Sequence, residues 1–156
     1  MMRRIAIALA VAGLAACSPA PDDAALVAQF ATSLSTSAAC NGGGYRACQL
    51  ERLARAYPGA LDEDAARSCI AAAQEDPKYR YTVAMVPGSL VATPEWVGPE
   101  ADGSAEWLFA GRKPQGSTYE VALAVSDTYL GEDHTVTWTS HVTVRDGTVY
   151  WFPNIC

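Results

Sequence analysis

The hydrophobic positions of this chain follow two periods, one before Lys78 and another after it. In the first half they recur every three or four residues, the spacing of one helix face. Leu26, Val27, Phe30 and Leu34 predict a first helix over Asp22–Ala38, with Asp22 and Asp23 suited to its N-terminus. Gly42-Gly43-Gly44 ends that pattern. A second helix is expected over Tyr45–Tyr57, its apolar face formed by Leu50, Leu53, Ala54 and Tyr57, with Cys48 and Arg52 on the other side. Pro58-Gly59 separates it from a third helix over Leu61–Gln74, lined by Leu61, Ala65, Cys69 and Ala73, and Asp76-Pro77 closes the helical half.

From Lys78 the pattern alternates with period two, which predicts strands half-buried against a core. Tyr79, Tyr81, Val83 and Met85 define a first strand that stops at Pro87-Gly88. A second, near Ser89–Val97, is confined to an edge by Pro94 and Pro99. Ala105, Trp107 and Phe109 alternate in a third. Tyr119, Val121, Leu123 and Val125 do so in a fourth, after the turn Lys113-Pro114-Gln115-Gly116. Asp146-Gly147 is a strong hairpin turn. It sets Val144 opposite Val149, Val142 opposite Trp151 and His141 opposite Phe152. Val136, Trp138, Val142 and Val144 then share an apolar side, while Thr135, Thr137, Thr139 and Thr143 line a solvated one. The expected architecture is α+β: N-terminal helices packed on one face of a curved antiparallel sheet of five or six strands, tied by disulfides.

The first residues stand outside this pattern. Met1 to Cys17 begins with Arg3 and Arg4, continues in an apolar run from Ile5 to Leu14, and ends in small residues. The run is too short for a membrane span of roughly 20 residues, but it has the form of a secretory signal. Leu14-Ala15-Ala16-Cys17 resembles the lipobox of bacterial lipoproteins. The resemblance covers about the first 18 residues. It implies cleavage before Cys17, lipidation of its thiol and acylation of the new amino terminus, and Ser18 in place of Asp implies delivery to the outer membrane. Residues 1–16 are then a cleaved leader, 17–21 a lipidated cysteine with a short tether, and 22–156 a single domain. Five extended residues reach only about 15 Å, so the body is held near the lipid surface.

Export changes the reading of the other cysteines. Cys40, Cys48, Cys69 and Cys156 are an even set in a small exported domain, which argues for two disulfides. Paired C-x2-C spacing is missing, so a thiolate zinc site is not expected. An antiparallel helical hairpin would set Cys48 level with Cys69 and leave Cys40 for Cys156. The placement of Cys48 off the apolar face instead keeps a local Cys40–Cys48 loop open.

Composition and charge narrow the chemistry. With 11 basic against 17 acidic side chains, the 156-residue chain has a net charge of −6, which disfavours nucleic acid as a partner. The two histidines, His134 and His141, fall on opposite faces of one strand. Glu132-Asp133-His134 with Asp127 could surround a cation, but such a cluster is more commonly a hydrated hairpin tip. Glu95, Glu100, Glu106 and Glu120 are the candidates for a catalytic carboxylate pair, beside Trp96 and Trp107. No nucleophile elbow, zinc-protease helix or phosphate loop is present, and neither a catalytic role nor a cofactor or metal is expected. Trp96, flanked by Pro94 and Pro99 and surrounded by Glu95, Glu100 and Glu106, is the candidate partner-binding surface.

These features lead to one expectation: an outer-membrane-anchored periplasmic lipoprotein acting as a non-catalytic protein-binding module. In its sharpest form it is an immunity protein or inhibitor of a cell-wall hydrolase toxin acting in the periplasm. The alternatives are a small apolar-ligand or lipid-binding envelope lipoprotein, with a cavity lined by Trp107, Leu123 and Trp138, or a structural accessory of an envelope assembly.

Overall fold

The computed structural model describes residues 21–93 and 114–155. Among them, α1 (Pro21–Ser35), α2 (Tyr45–Ala54) and α3 (Glu63–Ala72) precede β1 (Arg80–Met85), β2 (Val91–Ala92), β3 (Ser117–Tyr129), β4 (Glu132–Arg145) and β5 (Thr148–Trp151). The expected α+β arrangement is the one that forms. All strand pairs are antiparallel, in the order β1-β3-β4-β5, and β2 joins β3 on the edge it shares with β1. The strand expected around Trp107 lies outside the described residues.

α1 lies on the sheet through Val27, Ala31 and Leu34, all essentially fully buried with Tyr81, Val83, Val121 and Leu123. The Ser35 hydroxyl donates to the Val83 carbonyl and accepts from its N–H, both at 2.7 Å, which fastens the helix end to β1. The helix stops there, three residues short of Ala38, because the next hydroxyls bond locally. Thr36 donates to the Thr32 carbonyl, and Ser37 Oγ accepts from the Cys40 N–H. Such bonds compete with helix continuation.

Cys40 and Cys48 are joined to each other, their Cα atoms 4.4 Å apart. This overturns the pairing of Cys48 with Cys69 and of Cys40 with Cys156. The three glycines explain why: Gly42 and Gly44 take positive φ, and a Cβ at Gly43 would sit 2.8 Å from Ala39 backbone atoms. The chain can therefore reverse within eight residues and bring the two sulfurs together. Closing so short a loop is worth about 2.5 kcal/mol on a chain-entropy basis. Cys69 is disulfide-bonded as well, and Cys17 and Cys156 lie outside the described residues.

The same link rotates α2 away from its expected orientation. Cys48, Gln49, Arg52 and Leu53 face inward, while Leu50 is 39% exposed and Ala54 lies in solvent. Burying Arg52 needs compensation. Its guanidinium sits over the rings of Tyr81 and Trp151, at 4.9 and 5.4 Å from their centroids. It also donates to Gln49 Oε1 and to the Asn154 carbonyl. Trp151 Nε1 returns a bond to the Arg52 carbonyl at 3.0 Å, so indole, guanidinium and helix lock one another. α3 starts at Asp62, whose carboxylate caps the Ala65 N–H. Its Ile70 joins Leu53, Leu61 and Ile155 in a second, smaller core.

The β4–β5 hairpin forms in the expected register, with Val144 opposite Val149 and Val142 opposite Trp151, and the Phe152 N–H donating to the His141 carbonyl. Asp146 and Gly147 take φ of 51° and 73°, the pair of positive values that a two-residue turn of this type requires.

Candidate functional site

β4 outruns β5. It pairs with β3 over thirteen positions, from Ser117↔Val144 to Tyr129↔Glu132, and β1 lines the other edge of β3 from Leu123 to Thr128. β5 reaches only Val142–Arg145. From Glu132 to Thr139, β4 is therefore exposed on both faces. Val136 and Trp138 lie on the same side as buried Val125 and Leu123, directly opposite them in register, yet remain 44% and 37% exposed. The shared apolar side was read correctly, but its burial was not. β5 reaches only the other end of β4, so no strand among the described residues lies beyond β4 at Val136 and Trp138.

The outer turn is held by a buried carboxylate. Asp76 accepts from the N–H groups of Lys78, at 2.8 Å, and Leu130, at 2.6 Å. Its carbonyl accepts from Tyr45 and Tyr79. Tyr129 hydroxyl donates to the Gln74 carbonyl, and its ring packs against Tyr45 and Tyr79. Burial raises the Tyr79 pKa, and neighbouring Asp127 raises it further. That keeps the phenol protonated, and it donates to Asp127 Oδ2 at 3.3 Å.

Asp127 also meets His134 Nδ1 at 3.0 Å, and Glu132 lies 3.9 Å from His134 Nε2. Asp133 belongs to the opposite face, where its carboxylate accepts from Thr128 Oγ1 at 2.6 Å. This division separates the residues of the candidate cation cluster. Among the described residues no group of three or more His, Cys, Asp or Glu side chains could hold a metal ion. The turn presents exposed Leu130 beside the exposed carboxylates of Glu132 and Asp133, one toward each face of the hairpin, with Asp127 held against His134 on the Glu132 face.

Of the other candidates, Glu120 sits on β3 opposite His141. Burial lowers the His141 pKa while Glu120 raises it. Trp96, Glu95, Glu100, Glu106, Trp107 and Cys17 lie outside the described residues. A cleft of about 410 Å³ opens between α1, the end of α2 and the β4–β5 turn, lined by Leu26, Phe30, Arg55, Val149 and Tyr150 among others. Arg55 at its rim is engaged by Glu51 and by the Ser33 hydroxyl. Leu123 and Trp138, expected to line a ligand cavity, take no part in this cleft.

Sequence reasoning missed two features, the inward turn of Arg52 and the role of Asp76. Asp76 carried a signal, since Asp before Pro at the end of a helical run commonly binds nearby backbone N–H groups. Arg52 carried none. No family model, curated protein or solved structure matches this chain.

Proposed function

We propose that this protein is a lipid-anchored module on the periplasmic face of the bacterial outer membrane, which binds another protein without catalysis. In the sharpest form it is an immunity protein or inhibitor that blocks a cell-wall hydrolase toxin acting in the periplasm. The lipobox-like Leu14-Ala15-Ala16-Cys17 supports the anchor. The Cys40–Cys48 link and the bonded Cys69 fit an oxidising compartment.

The observation that carries the binding reading is the outer half of the β3–β4 hairpin. Its β4 strand extends past β5, and its turn exposes Leu130 beside the exposed carboxylates of Glu132 and Asp133. An apolar centre with an acidic rim suits a cationic protein surface, since rim charges steer encounter and the desolvated centre holds the complex. Cell-wall hydrolases act on an anionic polymer, and a basic surface is the natural complement to both substrate and inhibitor.

The test is a contact-dependent competition between the parent strain and a mutant lacking this gene. The mutant is expected to be killed by the parent and rescued by the wild-type gene. Glu132→Lys combined with Asp133→Lys should not rescue it, although both positions are exposed. Equal survival of mutant and parent would refute the immunity reading. A protein recovered without lipid on Cys17 would refute the anchor.

A further inference from the structure

Native proteins guard open sheet edges with Lys, Pro, a bulge or a covering element, because the unpaired N–H and C=O groups template pairing with another strand. Among the described residues the β4 edge from Asp133 to Thr139 has no such guard beyond the Asp133 carboxylate. It contains neither Lys nor Pro, and its register with β3 is unbroken. No strand among the described residues pairs with it there. Leu130-Gly131 forms a two-residue turn with φ of 51° and 85°, so Tyr129 and Glu132 form a hydrogen-bonded pair. By alternation, the backbone groups of Asp133, Thr135, Thr137 and Thr139 point away from β3. The Phe152 N–H bond to the His141 carbonyl obeys the same parity.

The edge is self-complementary. Two antiparallel copies related by a two-fold axis use all four outward residues only if the axis passes through Val136. Asp133 then faces Thr139 of the second copy, and Thr135 faces Thr137. On the intervening positions Val136 meets Val136, Trp138 meets His134, and Glu132 meets Ser140. No like charges are opposed, although the chain carries a net charge of −6. Shifting the axis one residue toward the turn sets Glu132 against Trp138, and moving it to residue 133 sets Asp133 against Asp133. Shifting it the other way uses His141, whose carbonyl is already taken by Phe152.

We propose that the protein forms a two-fold dimer through this edge, the two sheets joining into one with the axis at Val136. Pairing would cover Val136 and Trp138, two of the large apolar side chains that the hairpin leaves exposed. The inference does not depend on the binding reading above.

The full chain purified in detergent supplies the test. Residues at a non-hydrogen-bonded axis lie about 4.5 Å apart at Cα, within disulfide reach. Val136→Cys should therefore convert to a covalent dimer under mild oxidation. Thr139→Cys lies about 20 Å from its counterpart in this register and should stay monomeric. Light scattering should give the wild type the mass of two chains and Val136→Lys the mass of one, because the variant opposes two cations at the axis. Its far-ultraviolet circular dichroism should remain that of the wild type, as expected for a change at an exposed position. A wild type that is monomeric at every concentration, or equal cross-linking at residues 136 and 139, would overturn the proposal.

Discussion

The two halves of the β3–β4 hairpin have the same alternating sequence pattern but opposite fates. In the inner half, Val121, Val142 and Val144 are buried beneath α1 and beside β5. In the outer half, Val136 and Trp138 continue that apolar side into solvent. A period of two fixes which side chains share a face, and the elements that arrive from elsewhere decide which stretch of that face is covered. An apolar stretch left open on a rigid strand is a surface available for binding, whereas the covered stretch is the frame that holds it in place.

The largest effect should come from the inner half. Trp151 is 1% exposed, packs edge-on against Phe30 at 5.5 Å, and supports Arg52 through both its ring and its indole N–H. Trp151→Ala should cost about 3–5 kcal/mol, as large-to-small changes in cores do, read as a fall in the urea midpoint. A loss under about 1 kcal/mol would place it with exposed positions instead.

Leu123 and Trp138 give the most direct contrast, because they face each other across β3 and β4. Leu123 is 1% exposed and Trp138 is 37% exposed. Leu123→Ala should cost about 2–5 kcal/mol, and Trp138→Ala, the larger truncation, less than about 1 kcal/mol under dilute conditions. Equal costs in chemical denaturation would mean that Trp138 is a core residue and that β4 is covered there as fully as β3.

Asp76 ties the start of β1 to the outer turn, since one oxygen holds Lys78 just before β1 and the other holds Leu130. Asp76→Ala leaves both N–H groups without this partner and should cost about 1–3 kcal/mol. Hydrogen exchange should quicken at Leu130 while the amides of β5 stay protected. Uniform quickening across the sheet would indicate global loosening and no special hold on the turn.

The legible parts of the molecule were those governed by local rules. The face of α1, the Asp146-Gly147 turn and the β5 register depend on residues close together in sequence, and they appear as expected, whereas α3 buries Ile70 and leaves Ala65 and Cys69 exposed. Arg52 and Cys48 show where that stops. The apolar count of α2 favoured Leu50 and Ala54 as the inner face, but a covalent tie at Cys48 and two aromatic rings from β1 and β5 outweighed it. The candidate site divides in the same way. Asp127, Glu132 and His134 were grouped by turn spacing, and the structure brings Asp127 to His134. The open edge of β4 could not be read from its own residues, because it follows from where β5 ends.

The smallest expected effect is a pH dependence at the boundary between the halves. His141 lies on β4 opposite Glu120, just where β5 stops pairing. Burial lowers its pKa from the ordinary value of 6.5, and Glu120 opposes that shift. The folded protein therefore takes up this proton less readily than the unfolded chain. Its contribution to stability is complete above about pH 6.5, and it is lost as the pH falls through the depressed folded value. Urea midpoints of the wild type should decline from pH 7 to pH 5.5 more steeply than those of His141→Gln, which has no imidazole to charge. Parallel declines would mean that the position is as well hydrated as the outer half, and the boundary between covered and open strand would then lie closer to β5.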